Sequence, residues 1–364
     1  MTLLLMTPGP TRVPDPVRAA GAMAMIHHRT EEFSALLGAT LEKLRPLFGA
    51  RGDILPVHST GRGALEAAIT NLLSPGDEVI ACCNGYFGEM WAGIAEKFGI
   101  VVHRVCAGWE KIADAAEIDA ALDACPRARA VILIHSDTSN AALNDIAAVG
   151  RASRQRQALL MVDAVSSLGG APFRFDEWGV DVAVTASQKC LMSSPGLAFV
   201  ALSEKAWQAH GNSRFPRAYF DFSATRRKLT GPRPETPGTT PVHLIAQVHA
   251  AATEIHAAGM ENVFARHETM ARILRAGAAV LGMTLQCSGF PQLSPTLTAL
   301  RLPPGFSPQT LRTRLKAQGI LIAGGLGPYA QTSIRIGHMG DIRPADVNHT
   351  LETLQQILSD APNL

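Results

Sequence analysis

Lysines normally sit on solvated faces, yet the stretch Val180–Cys190 delivers one straight from a buried strand into a turn. Val182, Val184 and their neighbours are β-branched or small, no charge intervenes between Asp181 and Lys189, and Pro195-Gly196 then breaks the chain. Desolvating that ammonium costs on the order of several kcal/mol. Condensing the amine with an aldehyde removes the charge and lowers the cost. A carboxylate poses the same problem upstream: Ala158-Leu159-Leu160-Met161-Val162 is apolar and ends in Asp163, which needs a cationic partner or several donors. The two residues lie 26 positions apart, at the ends of neighbouring apolar strands.

Two readings of the pair are open at this point. One is a structural ion pair between strand ends. The other is a site for pyridoxal phosphate, which needs a carboxylate to keep its ring nitrogen protonated and a lysine to hold C4′ as an imine. Spacing alone weighs them evenly.

The elements that must position these groups follow a regular pattern. From Asp53 to about Ser203, apolar strands alternate with helical segments, the mark of a mainly parallel α/β sheet. Strands are expected at Ile54–Val57, Glu78–Cys83, Val101–Val105, Ala130–His135, Ala158–Asp163, Asp181–Ala186 and Leu197–Leu202. Ligands of such sheets sit beyond the carboxyl ends of the strands. There His58-Ser59-Thr60-Gly61-Arg62-Gly63 opens a helix, a loop suited to phosphate or to a plain helix cap. Cys83–Gly88 places Phe87, able to stack on a flat ring, on the next turn. His135–Asn140 offers hydroxyls at the same edge or is an ordinary polar loop.

Before the sheet, four prolines between Leu3 and Arg18 suggest an extended arm, and a helix carrying Phe33, Leu36, Leu37, Leu41 and Leu44 should end near Pro46. His27 and His28 read as loop or core histidines. After it, Phe215–Pro241 is a proline- and glycine-rich excursion of the kind that serves function or an interface. A helix over Val242–Ala258 leads to an α+β layer. In that layer helices are expected at 262–279, 307–318 and 344–358, and strands at 284–287, 296–301, 320–323 and 332–336. Arg335, between two isoleucines, is placed to clamp a carboxylate or to face solvent. The expected division is an arm over 1–20, a large domain over 21–258 and a smaller C-terminal α+β domain over 259–364.

Composition narrows the class further. The 364 residues suggest about two domains; 47% are apolar and 18% charged, as in an ordinary globular protein. A formal charge of +2 gives no ground for a nucleic-acid or membrane partner. Met1–Met6 is apolar without a basic flank and runs into Thr7-Pro8-Gly9-Pro10, so no signal peptide and no membrane span are expected. Six cysteines show no CxxC pair and no metal-type spacing, which implies reduced thiols in the cytoplasm and no metal site.

Taken together the chain resembles the class V aminotransferases of PLP fold type I, in the branch of alanine-glyoxylate and serine-glyoxylate aminotransferases. The resemblance rests on Thr7-Pro8-Gly9-Pro10, His28-Arg29 with Phe33, Asp163-Ala164-Val165-Ser166-Ser167, Ser187-Gln188-Lys189 and Arg335-Ile336-Gly337-His338-Met339-Gly340, and spans nearly the whole chain. It implies that Lys189 is the Schiff-base lysine and proton carrier and that Asp163 pairs with the pyridine nitrogen. Val165 and Phe87 would cover the ring faces, Phe87 standing where relatives often carry tryptophan. Thr60, Gly61, Arg62 and Gln188 would hold the phosphate, with Thr239 from the other subunit of a homodimer; Thr138 would reach the ring hydroxyl and Arg335 the substrate α-carboxylate.

By the same resemblance, an amino group would pass from alanine or serine to glyoxylate or pyruvate in ping-pong fashion. Three departures bear on the substrate: Arg62 replaces a small residue or histidine, Cys190 stands where relatives have glycine, and Asn140-Ala141 replaces a Thr-Gly pair. The rival readings on this fold are a 2-aminoethylphosphonate transaminase and a lyase or desulfurase. For a desulfurase, Cys287 sits in an apolar segment and Gln188 stands where a histidine is usual.

Overall fold

In the computed structural model, which describes residues 3–154 and 156–360, all seven expected strands enter one sheet. Met1 and Thr2 of the opening apolar run, and the last four residues assigned to the C-terminal domain, lie outside the described residues. The strands run in the spatial order Asp53–Val57, Ala198–Leu202, Val182–Ala186, Leu159–Asp163, Ala128–Ile134, Glu78–Cys82, Val101–Val105. Ala198–Leu202 is antiparallel to both neighbours and the remaining pairs are parallel. Leu159–Asp163 and Val182–Ala186 are buried at every position, because helices cover both faces of the sheet. Val101–Val105 is one of the two edge strands and carries His103 and Arg104; Arg104 pairs with Glu89 and Glu96.

One face of the sheet packs on the helix Glu31–Phe48, through Phe33, Leu37, Leu44 and Phe48, and on Val242–Ala258. The other packs on Gly61–Leu72 and Tyr86–Lys97, where Leu65, Ile69 and Trp91 are fully buried. A separate apolar cluster belongs to an antiparallel sheet in the order Thr284–Leu285, Leu297–Arg301, Ser333–Gly337, Ala323–Gly324, covered by the helices Met260–Val280, Pro308–Ala317 and Pro344–Ser359.

Helix Glu31–Phe48 ends near Pro46, as expected, and takes in two more residues because burial of Leu47 and Phe48 outweighs one lost hydrogen bond in the last turn. Other local details differ from expectation. The arm is not wholly extended: Asp15–Gly21 is a helix, with Pro16 in its first turn where the missing N–H has no helical partner to lose. Leu4–Leu5 pairs in parallel with Ile320–Leu321, which splits the expected strand 320–323 between two sheets. The excursion Phe215–Pro241 contains the helix Phe222–Leu229, capped by Asp221, whose carboxylate accepts from the N–H groups of Ser223 and Ala224.

Candidate active site

The parallel strands deliver their carboxyl ends to one edge of the sheet, and a cavity opens there. Thr60, Gly61, Arg62, Phe87, Thr138, Asp163, Val165, Gln188 and Lys189 line it, together with Leu65, Met90, Ile134, Ser136 and Ser166. Arg335 stands behind Thr138, whose carbonyl accepts from its Nη1 at 3.1 Å. Thr239 is the exception. It lines a different and larger cavity with His58, Tyr219 and Phe220.

Lys189 occupies a turn fixed at both ends: Ser187 N–H donates to Leu197 O at 2.9 Å, Ser187 Oγ to Ser194 O at 2.6 Å, and Met192 N–H to Lys189 O at 2.9 Å. Its Nζ donates to the carbonyl of Pro8. Gly9 makes that crossing possible: at φ +117° it adopts a conformation L side chains avoid, and a Cβ there would lie 2.6 Å from Lys189 Nζ. The Thr7–Pro10 arm thus runs over the lysine, tied down by Thr11 N–H donating to Gln188 O at 3.0 Å.

Asp163 ends its strand with Oδ1 accepting from Val165 N–H at 2.7 Å, which leaves Oδ2 to the cavity. Burial pushes its carboxyl up to about 7 and pulls the Lys189 ammonium down to about 8. The two form no ion pair, because Lys189 turns to Pro8 instead. The structural-pair reading of the sequence therefore fails, and both groups are left with unmet demands that a bound molecule can satisfy.

At the other end of the cavity Thr60 caps the helix Gly61–Leu72, its Oγ1 accepting from Gly63 N–H at 3.4 Å. The N–H groups of Gly61 and Arg62 at this positive helix end are available to an anion. Gln188 Oε1 is buried without a partner. Thr138 Oγ1 shares a 2.6 Å hydrogen bond with Ser166 Oγ. Arg335 donates through Nε to Gly324 O at 2.7 Å, and burial lowers its guanidinium to about 10.

Asp137 escaped the sequence reading. Fully buried, it accepts from the N–H groups of Phe87 at 3.2 Å and Ser139 at 2.8 Å, and so fixes the turn that presents Phe87. The carboxylate in His135–Asn140 was its only signal, masked by the hydroxyls around it. Cys287 is buried, and burial pushes its thiol up to about 12, which makes it a poor nucleophile. The fold also gathers Glu78, His103 and Cys125, which no spacing announced; Glu78 is already engaged by His103 and Arg127.

The architecture is that of fold type I, and the cavity has the groups of an amine-transferring enzyme. The chain belongs to the class V aminotransferases: it matches the family described as aminotransferase class-V over residues 17–336. An L-aspartate–glyoxylate aminotransferase of Paracoccus denitrificans is 38% identical over 361 residues, covering 97% of this chain and 90% of that one. A protein of Synechococcus sp. named as the small subunit of a soluble hydrogenase is 35% identical, covering 98% and 93%. The crystal structure of an alanine–glyoxylate aminotransferase from Nostoc sp. superposes with a TM-score of 0.94 at 30% identity, over 98% and 96% of the two chains.

Proposed function

We propose that this aminotransferase uses pyridoxal phosphate to move the amino group of a small L-amino acid, alanine or serine, to glyoxylate, yielding glycine and the donor's 2-oxo acid. The observation that carries the reading is the buried, unpaired Lys189 and Asp163 facing one cavity. Glyoxylate is favoured over pyruvate because it is named for both aminotransferase relatives described above, whose donors differ.

The residues present fit the cofactor. The free N–H groups of Gly61 and Arg62, with Thr60 and the unpartnered Gln188, suit its phosphate. Asp163 Oδ2 suits a protonated ring nitrogen, Val165 and Phe87 suit its faces, and Thr138 suits its hydroxyl. Bound there, pyridoxal phosphate supplies an aldehyde that condenses with amines and a ring that withdraws electrons from the substrate Cα–H bond.

The chain's own groups do the rest. Burial raises the Asp163 carboxyl to about 7; facing a protonated ring nitrogen it would be held ionised, so that the ring proton stays on nitrogen. Arg335 holds the α-carboxylate through donors left free by Gly324 and Thr138, and so fixes which substrate bond faces Lys189. Lys189 Nζ, deprotonated at a pH its burial makes accessible, would take the proton from the substrate Cα and give it to the cofactor carbon that carried the aldehyde. The Thr7–Pro10 arm covers the lysine on one side and limits water there. Thr239 would complete the phosphate site from the second protomer of a homodimer.

The test is a half-reaction with the purified, cofactor-loaded protein. L-Alanine or L-serine should bleach the visible band, and glyoxylate should restore it with release of glycine. Bleaching by 2-aminoethylphosphonate alone, or release of sulfide from cysteine, would transfer the protein to one of the rival classes.

A further inference from the structure

We propose that Trp109 is a positioning residue for Arg335, clasping together the two loops whose carbonyls orient the guanidinium. The inference rests on the reading of Arg335 as the α-carboxylate anchor. Arg335 is held by Gly324 O and Thr138 O, which come from separate parts of the fold: Thr138 from the turn of the two-stranded hairpin Ser136–Asp137 and Ala142–Leu143, Gly324 from the four-stranded sheet. With Nε and one Nη1 hydrogen so engaged, the second Nη1 hydrogen and both Nη2 hydrogens remain for a carboxylate. Their direction therefore depends on how the two loops are set against each other.

Trp109 touches both. Its carbonyl accepts from Asn140 Nδ2 at 3.0 Å, two residues beyond Thr138, and from Cys287 Sγ at 3.3 Å. Its ring lies on Gly327, where a Cβ would stand 2.4 Å from the indole, and meets Tyr329 edge-on with centroids 6.0 Å apart. That segment folds straight back to Arg335's strand, with Gly325 N–H donating to Ser333 O at 2.8 Å. On its other side Trp109 faces Tyr86 at 6.5 Å, and Tyr86 meets Phe87 at 5.3 Å. A row of aromatic rings thus joins the wall of the cofactor cavity to the loop that carries Gly324.

Glu110 reinforces the clasp by accepting from Tyr329 Oη at 2.9 Å and pairing with Arg301, which stacks over the Tyr329 ring. That ion pair is open to solvent and screened, so the indole's seat on Gly327 is the part that counts. Gly327 has space for no side chain while Trp109 is in place.

The experiment compares steady-state kinetics of Trp109→Ala, Trp109→Phe, Gly327→Ala and Arg335→Lys holoenzymes, using glyoxylate with whichever of L-alanine and L-serine supports turnover. Trp109→Ala should raise KM for both substrates about tenfold and keep kcat within about threefold, a loss of carboxylate binding at unchanged chemistry. The visible band of the bound cofactor should stay unchanged, and Trp109→Phe should return KM to near the parent value. Gly327→Ala, which displaces the ring, should reproduce the rise and serves in place of Trp109→Ala if that variant does not fold. Unchanged KM in both Trp109→Ala and Gly327→Ala, with a raised KM in Arg335→Lys, overturns the clasp. Unchanged KM in Arg335→Lys overturns the carboxylate reading on which it rests.

Discussion

At the scale of single residues, the proposed chemistry rests on Lys189 and Asp163 being buried without pairing with each other. A surface lysine loses its proton near 10.4; Lys189, desolvated, does so at about 8. Its folded value lies below the free one, so the neutral amine, the form that attacks an aldehyde, accumulates as pH rises through about 8. Capture of added pyridoxal phosphate by cofactor-free protein should accordingly speed up about tenfold per unit below pH 8 and level off above it, as followed by stopped-flow absorbance. A rate still climbing at pH 10 would mean that the amine is solvated. Both residues were legible in the sequence, because a charge at the end of a buried apolar run calls for an explanation. That they do not pair was not legible. It depends on the Pro8 carbonyl, 181 positions away from Lys189, reaching the ammonium first.

At the scale of elements, the carboxyl ends of parallel strands place most of the candidate site, and the alternation of apolar runs announced all seven strands of the sheet, the antiparallel one included. What the strands do not place is the cover over the lysine. Gly9 lets the arm cross at a conformation and a distance that alanine cannot match. Gly9→Ala should therefore lower kcat about 10- to 100-fold, the equivalent of roughly 1–3 kcal/mol of backbone strain delivered to Lys189, while the visible band remains. A kcat within twofold of the parent would show that the arm does not constrain the lysine. The helices missed from sequence, Asp15–Gly21 and Phe222–Leu229, sit where proline or glycine dominates the local signal and an N-terminal proline or a capping carboxylate decides the outcome. Asp137 went unread because its role, fixing the Phe87 turn, exists only once two loops have met.

At the scale of the whole molecule, the chain gathers nine of the expected site residues around a cavity and brings Arg335 behind it, but leaves Thr239 in another cavity beside the exposed Tyr219. Sedimentation should give twice the chain mass, and Thr239→Ala should weaken cofactor affinity about tenfold without changing that mass, losing one hydrogen bond to a charged group. A fully active monomer would remove Thr239 from the site. The central claim, that Lys189 holds the cofactor through its amine, is tested most directly by reducing the cofactor-loaded protein with borohydride and mapping the modified peptide. One pyridoxyl group per chain, on Lys189, is expected. A pyridoxyl group on another lysine, or none on a protein that shows the visible band, would contradict it.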